Sequence, residues 1–457
     1  MPVQADPALD PVVATAILGI DTLWGGNVLD PSGLGRFIAD SWFSDLPLPA
    51  AYTHPAAEAL RRSGGLGAPI IDAGATAAID AYLAAVDVRG AIDGLARQAT
   101  ALTKAGDGLR GASLAGLADS LTVMWELGRE RLGRGPAVPY ARCVEASCGR
   151  SPEPSRPEAK RRRLAELLAR AGHPSRTPDE LLAAVDAWRA TRLVSPAALP
   201  ELGKALIEQL DAGTLRHVVP WLPRALRDVP RANITFVPIA DAPFSGSMNY
   251  VGRARNPDGS PLYECTYEVN ASLQISAPEL VGLVSHEVVP GHATTFALAQ
   301  ALYVQGRLGF EATVLTMNTR SAALSEGIAN NAILMAFGVT EVEHLPDEDL
   351  QIGVLLSLLQ DDAKNQSSWM TWGEGRPQAE VAPVLRRDFL VSPERADKLS
   401  GAWGRHPLNG RMYLPAYRAG TEKVAALRSR HPPGRIIPAL FGCLGLVDVV
   451  TIDRVLA

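Results

Sequence analysis

The sequence predicts a mainly α fold with one small β-sheet, and three observations carry that prediction. Alanine and leucine recur at helical spacing through most of the chain. Two stretches, Thr177-Pro178-Asp179-Glu180 and Ser276-Ala277-Pro278-Glu279, have the form of capping boxes, and the first places proline at the first helical position. Strand-like runs are confined to residues 234–269.

Residues 1 to about 55 hold short apolar pieces broken by proline and glycine. Helical periodicity then covers 77–86, 91–102 and 114–132. The Pro- and Gly-rich passage 133–157 reads as a surface loop. Helices resume at 158–171 and after Thr177, and another spans 199–210, reaching Val218 if Gly213 is tolerated. Near Asp228 the character changes. Residues 234–238, 248–252 and 262–269 read as strands, the last two joined through the turn sequence Asn256-Pro257-Asp258-Gly259. The helix capped by Ser276 runs through Leu280, Leu283 and Val284 to His286 and on through Phe296 and Leu302. Further helices are expected at 318–337, from Asp347 toward Trp369, and at 377–389, 393–403 and 411–428. No internal repeat is apparent.

A length of 457 residues is enough for a large core, and 47% hydrophobic with 20% charged residues is ordinary for a soluble enzyme. A formal charge of −5 excludes an electrostatic footprint for nucleic acid. The one dense basic run, Lys160-Arg161-Arg162-Arg163, opens a helix and reads as its solvated face. Cys143, Cys148, Cys265 and Cys443 are too few for a disulfide framework and read as reduced thiols. The stretch Met1-Pro2-Val3-Gln4-Ala5-Asp6-Pro7 lacks the pattern of a signal peptide, and no apolar run reaches the roughly 18 residues of a membrane span. These features lead to the expectation of a cytoplasmic protein.

Chemistry concentrates in Ser285-His286-Glu287-Val288-Val289-Pro290-Gly291-His292-Ala293, which holds two of the eight histidines. A carboxylate directly after the first histidine is the pattern by which a helix carries zinc and a general base. The spacing differs from the usual four residues. Six residues turn the second imidazole about 240° and carry it about 9 Å along an ideal helix. Pro290 has no N–H for the His286 carbonyl and crowds it, and Gly291 tolerates conformations other residues resist. A kink is therefore expected, swinging His292 back toward His286. Catalytic zinc usually takes three protein ligands. Glu326, a lone carboxylate in an apolar helix, is the candidate third ligand, with Glu311 as the alternative.

The segment His286 to His292, followed by Glu326-Gly327, resembles the DUF885 family of bacterial proteins, which are similar in fold to zincin-type carboxypeptidases and oligopeptidases. The likeness extends over about 230–430. It implies a two-lobed fold around a deep cleft, with a helical N-terminal lobe (1–230) as cleft wall. The catalytic lobe (231–457) would hold the small sheet, the metal-binding helices and the C-terminal helices. It also implies one zinc ion on His286, His292 and Glu326, with Glu287 activating water. Tyr413, Tyr417, His406 and Arg405 become candidate oxyanion donors, because the family fold brings the C-terminal region over the cleft. Asn330 and Asn331, one turn past Glu326, are candidate partners of the ligands, and Tyr250 and Tyr263 candidate cleft-wall residues. The chain departs from the family where Ala293 replaces a histidine and where Ile328 and Asn331 replace Trp and Tyr. Near the C-terminus Arg411-Met412-Tyr413-Leu414 replaces Pro-Gly-Gln-Ala, although Tyr417-Arg418-Ala419-Gly420 survives.

Three functional expectations follow. The first is a zinc hydrolase of amide or peptide bonds. The second is a metal-dependent enzyme dedicated to one small molecule. The third is a helical scaffold with a vestigial site. A small-molecule or peptide substrate is expected in the first two, and no nucleic-acid or membrane partner in any.

Overall fold

Helices make up 64% of the chain and one three-stranded sheet accompanies them. The computed structural model describes residues 9–30, 38–239, 246–270 and 274–457. The segment 1–7, on which the signal-peptide reading rests, lies outside the described residues.

Helices α1 (Asp10–Leu23), α2 (Pro55–Ser63), α3 (Ala73–Ala85), α4 (Val88–Lys104), α5 (Gly108–Arg131) and α6 (Tyr140–Cys148) open the chain. Ile17, Trp24, Leu95 and Leu121 share a core with Phe310, Leu408 and Met412 from much later in the chain. Two of these helices differ from expectation. α1 is buried nearly all round, so its apolar residues show no one-sided period. α6 lies in the stretch read as a loop; Pro139 and the left-handed Gly149 bracket it, and the breakers mark its ends.

Next come α7 (Glu158–Arg170), α8 (Pro178–Ala190) and α9 (Leu199–His217). Thr177 caps α8 by accepting the Glu180 N–H, as the capping box requires. α9 does continue through Gly213, where a Cβ would lie 2.5 Å from the Ala336 carbonyl oxygen. The basic run on α7 is not simply solvated. Lys160 pairs with Asp362 at 2.6 Å and Arg161 with Asp388 at 3.4 Å, which ties α7 to later helices.

Strands β1 (Ile234–Ile239), β2 (Gly246–Tyr250) and β3 (Cys265–Asn270) form a sheet of order β1-β3-β2. β3 runs parallel to β1 and antiparallel to β2. The expected turn forms through Gly259, at φ 84°, whose N–H reaches the Asn256 carbonyl.

The site region follows: α10 (Ala277–Glu287), α11 (His292–Val304), α12 (Arg320–Ala336) and α13 (Glu348–Ser368). α14 (Gln378–Phe389), α15 (Pro393–Ser400), α16 (Leu414–Arg430) and the unanticipated α17 (Pro433–Gly442) complete the set of helices of eight residues or more among the described residues. Leu199 and Leu210 of α9 share one core with Val284, Ile328 and Ala416, and α7 and α8 pack on α13, so helices from both halves of the chain build common cores.

α12 and α16 approach unusually closely. A Cβ on Gly420 would sit 1.7 Å from the Ala323 carbonyl oxygen, and one on Gly327 would sit 2.3 Å from the Gly420 carbonyl oxygen. Gly420→Ala is therefore expected to force the helices apart and cost about 1–3 kcal/mol, read as a lower denaturation midpoint. A second prediction concerns Asp21 on α1, whose Oδ1 accepts the N–H groups of Ile38 and Ala39. Burial pushes its carboxyl up to about 7, against the lowering effect of those N–H groups. The native state thus keeps a proton that the unfolded chain releases above the ordinary carboxylate pKa. This contribution is full below that ordinary value and is lost as pH rises toward 7. Denaturation series from pH 4 to 8 should show wild type losing stability relative to Asp21→Asn, with the gap widening up to about pH 7.

Candidate metal centre

Ser276 caps α10, and the helix carries His286 and Glu287 as its last two residues. The sequence reading of one kinked helix is corrected to two helices. The chain leaves α10 at Val288, passes a cis Val289–Pro290 bond and restarts as α11 at His292. Gly291 is required by closeness, since a Cβ there would lie 1.8 Å from the His286 carbonyl oxygen. The break brings the two imidazoles together, with ring centroids 4.7 Å apart and planes at 89°.

α12 supplies the third group. The Glu326 Oε2 atom is 3.5 Å from His286 Nε2, and Oε1 is 3.7 Å from His292 Nε2. One ligand atom from each of His286, His292 and Glu326 falls within 4.8 Å of the others. With zinc bonds of about 2.0–2.1 Å, tetrahedral ligand atoms lie roughly 3.3–3.5 Å apart. The Glu326 Oε2 atom is buried without a hydrogen-bond partner among the described residues, an expensive arrangement unless a cation is bound there. By spacing and donor chemistry the three residues fit a zinc ion.

Electrostatics agree with that fit. Burial pushes the His286 imidazole down to about 3, with His292 adding to the effect, so His286 is neutral. For His292 burial acts in the same direction but is outweighed by the Glu326 carboxylate, which raises it. Burial opposes ionisation of Glu326, yet the two imidazoles hold it at about 2.

Glu287 points into the same space, 4.0 Å from His286 Nε2, and its Oε2 accepts the Met248 N–H at 3.3 Å. Strand β2 thereby anchors it. A cavity of about 850 Å³ opens over these groups, and Met248, Asn270, Lys364 and Tyr417 also line it.

The C-terminal candidates separate. The Tyr413 hydroxyl donates to Glu326 Oε1 at 2.6 Å, and the Tyr417 ring lies beside it at 5.0 Å. Burial raises both hydroxyls well above the ordinary tyrosine value, so both remain proton donors. His406 lines the cavity, but its Nδ1 accepts the N–H groups of Leu408 and Asn409. Arg405 donates to the carbonyls of Ser400 and Arg376 and does not line the cavity.

Asn330 Oδ1 meets His286 Nδ1 at 2.7 Å, as expected of a ligand's partner. Asn331 does not reach the ligands; it bonds the Gly327 and Thr421 carbonyls and ties α12 to α16. Tyr250 is a core residue stacked on Phe296, with its hydroxyl on Gln300, and Tyr263 stands off the cavity at φ 53°. Glu311, the alternative ligand, forms a buried ion pair with Arg110. All four cysteines are free thiols.

The sequence reading missed Asp361, Lys364 and Thr421, which gather behind Asn330. A signal was present: Asp361 and Lys364 are one turn apart on a helix whose preceding turns are apolar, so they share a face with the core.

No family model matches the chain, and no curated protein matches it. Among solved structures it is similar to a "putative lipoprotein" from Colwellia psychrerythraea, with a TM-score of 0.51 and 15% identity, over 76% of this chain and 61% of that one. The chain thus spans about three-fifths of the length of that protein. A looser likeness, TM-score 0.47 at 12% identity, is to a "putative lipoprotein of unknown function" from Shewanella oneidensis, over 87% of this chain and 69% of that one. At such identity the first likeness shows a shared fold. It also overturns the cytoplasmic expectation, because the protein that shares this fold is described as a lipoprotein. Among the described residues no helix is long and apolar enough to cross a membrane.

Tyr413→Phe removes the donor that holds Glu326 and is expected to weaken zinc binding about tenfold. Tyr417→Phe should leave that affinity unchanged, and chelator competition on the two variants would show the difference.

Proposed function

We propose that the protein is a zinc-dependent hydrolase that cleaves an amide or peptide bond in a small peptide or peptide-like substrate. The observation that carries this reading is the convergence of His286, His292 and Glu326 within 4.8 Å, with Glu287 held beside them at the base of a cavity. Membership of the DUF885 family and a two-lobed zincin-type architecture belong to the same proposal. Their support is the His-Glu-x-x-Pro-Gly-His segment and the way its two helices meet.

His286, His292 and Glu326 would hold the ion, which when bound lowers the pKa of water toward about 7 and polarises a carbonyl oxygen. Glu287 takes the proton of the attacking water at its carboxylate and returns it to the leaving nitrogen. The N–H of Met248 keeps that carboxylate in place. Tyr413 is committed to Glu326, so Tyr417 is the hydroxyl assigned to the developing oxyanion. A cavity of about 850 Å³ suits a ligand of short-peptide size.

A second reading, a single dedicated small-molecule substrate, is favoured by one observation. Ile328 and Asn331, standing where the family has Trp and Tyr, are both buried and do not line the cavity. A screen of peptides beside acylated amino acids and amides separates the two readings, since broad peptide cleavage excludes the second.

Wild type should contain stoichiometric zinc that His292→Ala loses, as measured by metal analysis. Glu287→Gln should retain the metal and lose about 10²–10⁴-fold in turnover. Full zinc content in His292→Ala would sink the ligand assignment.

A further inference from the structure

Behind the proposed ligands lies a polar chain outside the motif, formed by Asn330, Asp361, Lys364 and Thr421, of which the first three also line the cavity. Asn330 has two chemically distinct ends, and its surroundings decide which way it faces. Its Nδ2 is 2.7 Å from Asp361 Oδ2 and 2.8 Å from Thr421 Oγ1. Thr421 gives its one hydroxyl proton to the Tyr417 carbonyl at 2.8 Å, so toward Asn330 it can only accept. A carboxylate also only accepts, and the two amide protons are thereby used. The Oδ1 end must face His286 Nδ1, which lies 2.7 Å away. An oxygen at that position requires the imidazole to carry its proton on Nδ1. The Nε2 lone pair is then free on the side of Glu326.

Asp361 is 5% exposed and needs a compensating charge to stay ionised. Lys364 supplies it, with Nζ 3.0 Å from Asp361 Oδ1. The same ammonium lies 3.2 Å from the centroid of the Tyr417 ring. One buried cation therefore touches both the scaffold of His286 and the tyrosine beside the site.

We propose that Asp361 and Lys364, acting through Asn330, are positioning residues of the metal centre, locking His286 in the tautomer that leaves Nε2 free for a cation and seating Tyr417 on the same scaffold. This rests on the zinc reading above. Thr421 contributes as the second acceptor that prevents the Asn330 amide from turning over.

The test compares zinc affinity, by chelator competition, and apo-protein melting in wild type, Asn330→Ala, Asp361→Asn and the exchanged double variant Asn330→Asp/Asp361→Asn. Each single variant is expected to bind zinc about 10–100-fold more weakly. In the exchanged pair the carboxylate at position 330 replaces the amide oxygen as acceptor of the His286 Nδ1 proton, and the amide at position 361 donates to that carboxylate from behind, so affinity should return to within a few-fold of wild type. A residue that merely stabilises the fold would lower melting without this pattern of loss and rescue. Lys364→Met covers the case in which Asp361→Asn does not fold, and it should also weaken zinc binding. Wild-type affinity in folded single variants overturns this proposal alone. Absence of zinc binding in wild type overturns the zinc reading and this proposal with it.

Discussion

The close passage of Gly291 against the His286 carbonyl is the constraint on which the site depends. Any side chain at that position would collide with backbone that cannot move without unwinding α10. Because the chain can turn there, α10 ends and α11 begins within four residues, and two imidazoles from different helices face one point. In an uninterrupted helix the same two residues would point apart. The departure from the familiar histidine spacing is thus part of the geometry that makes a metal centre feasible.

A second close approach completes it. Gly327 and Gly420 let α12 and α16 lie almost backbone to backbone, and Glu326 and Tyr413 stand on the two sides of that contact. The hydroxyl of Tyr413, the residue that precedes α16, can then hold the carboxylate on α12. Asn330, one turn further along α12, reaches His286 on one side and α13 and α16 on the other. Four helices meet through hydrogen bonds among buried polar groups, each expensive to leave unpaired. That cost gives the centre its order: no member of the network can rotate away without stranding another. Glu326 Oε2 is the exception, and it faces His286.

Much of this was legible in the chain. His286, Glu287, His292 and Glu326 are polar groups in apolar helices, the last two buried and the first two half-buried, and that placement has few explanations other than chemistry. The mainly helical fold and the small sheet were legible through periodicity and capping residues. Less visible were α1, whose all-round burial erases the helical period, and α6, hidden among proline and glycine that turned out to bracket it. Arg405, Asn331 and Tyr250 were plausible as site residues by position in the chain. They proved to satisfy backbone carbonyls or fill the core, a distinction no spacing rule makes. The cytoplasmic expectation did not stand because composition reports solubility and carries no information about compartment.

By itself the sequence determined the local chemistry: which residues have metal-binding donors, which carboxylate adjoins them, and that the helix cannot run undistorted between the histidines. Those follow from side-chain type and from the backbone limits of proline and glycine, both properties of short segments. Tertiary structure decided which distant groups complete the centre. Tyr413 holds Glu326, Asp361 and Lys364 stand behind Asn330, and Glu311 is taken by Arg110. These partnerships depend on how closely α12, α13 and α16 pack, which is set by small residues and shared cores far apart in the chain. No local rule contains that information.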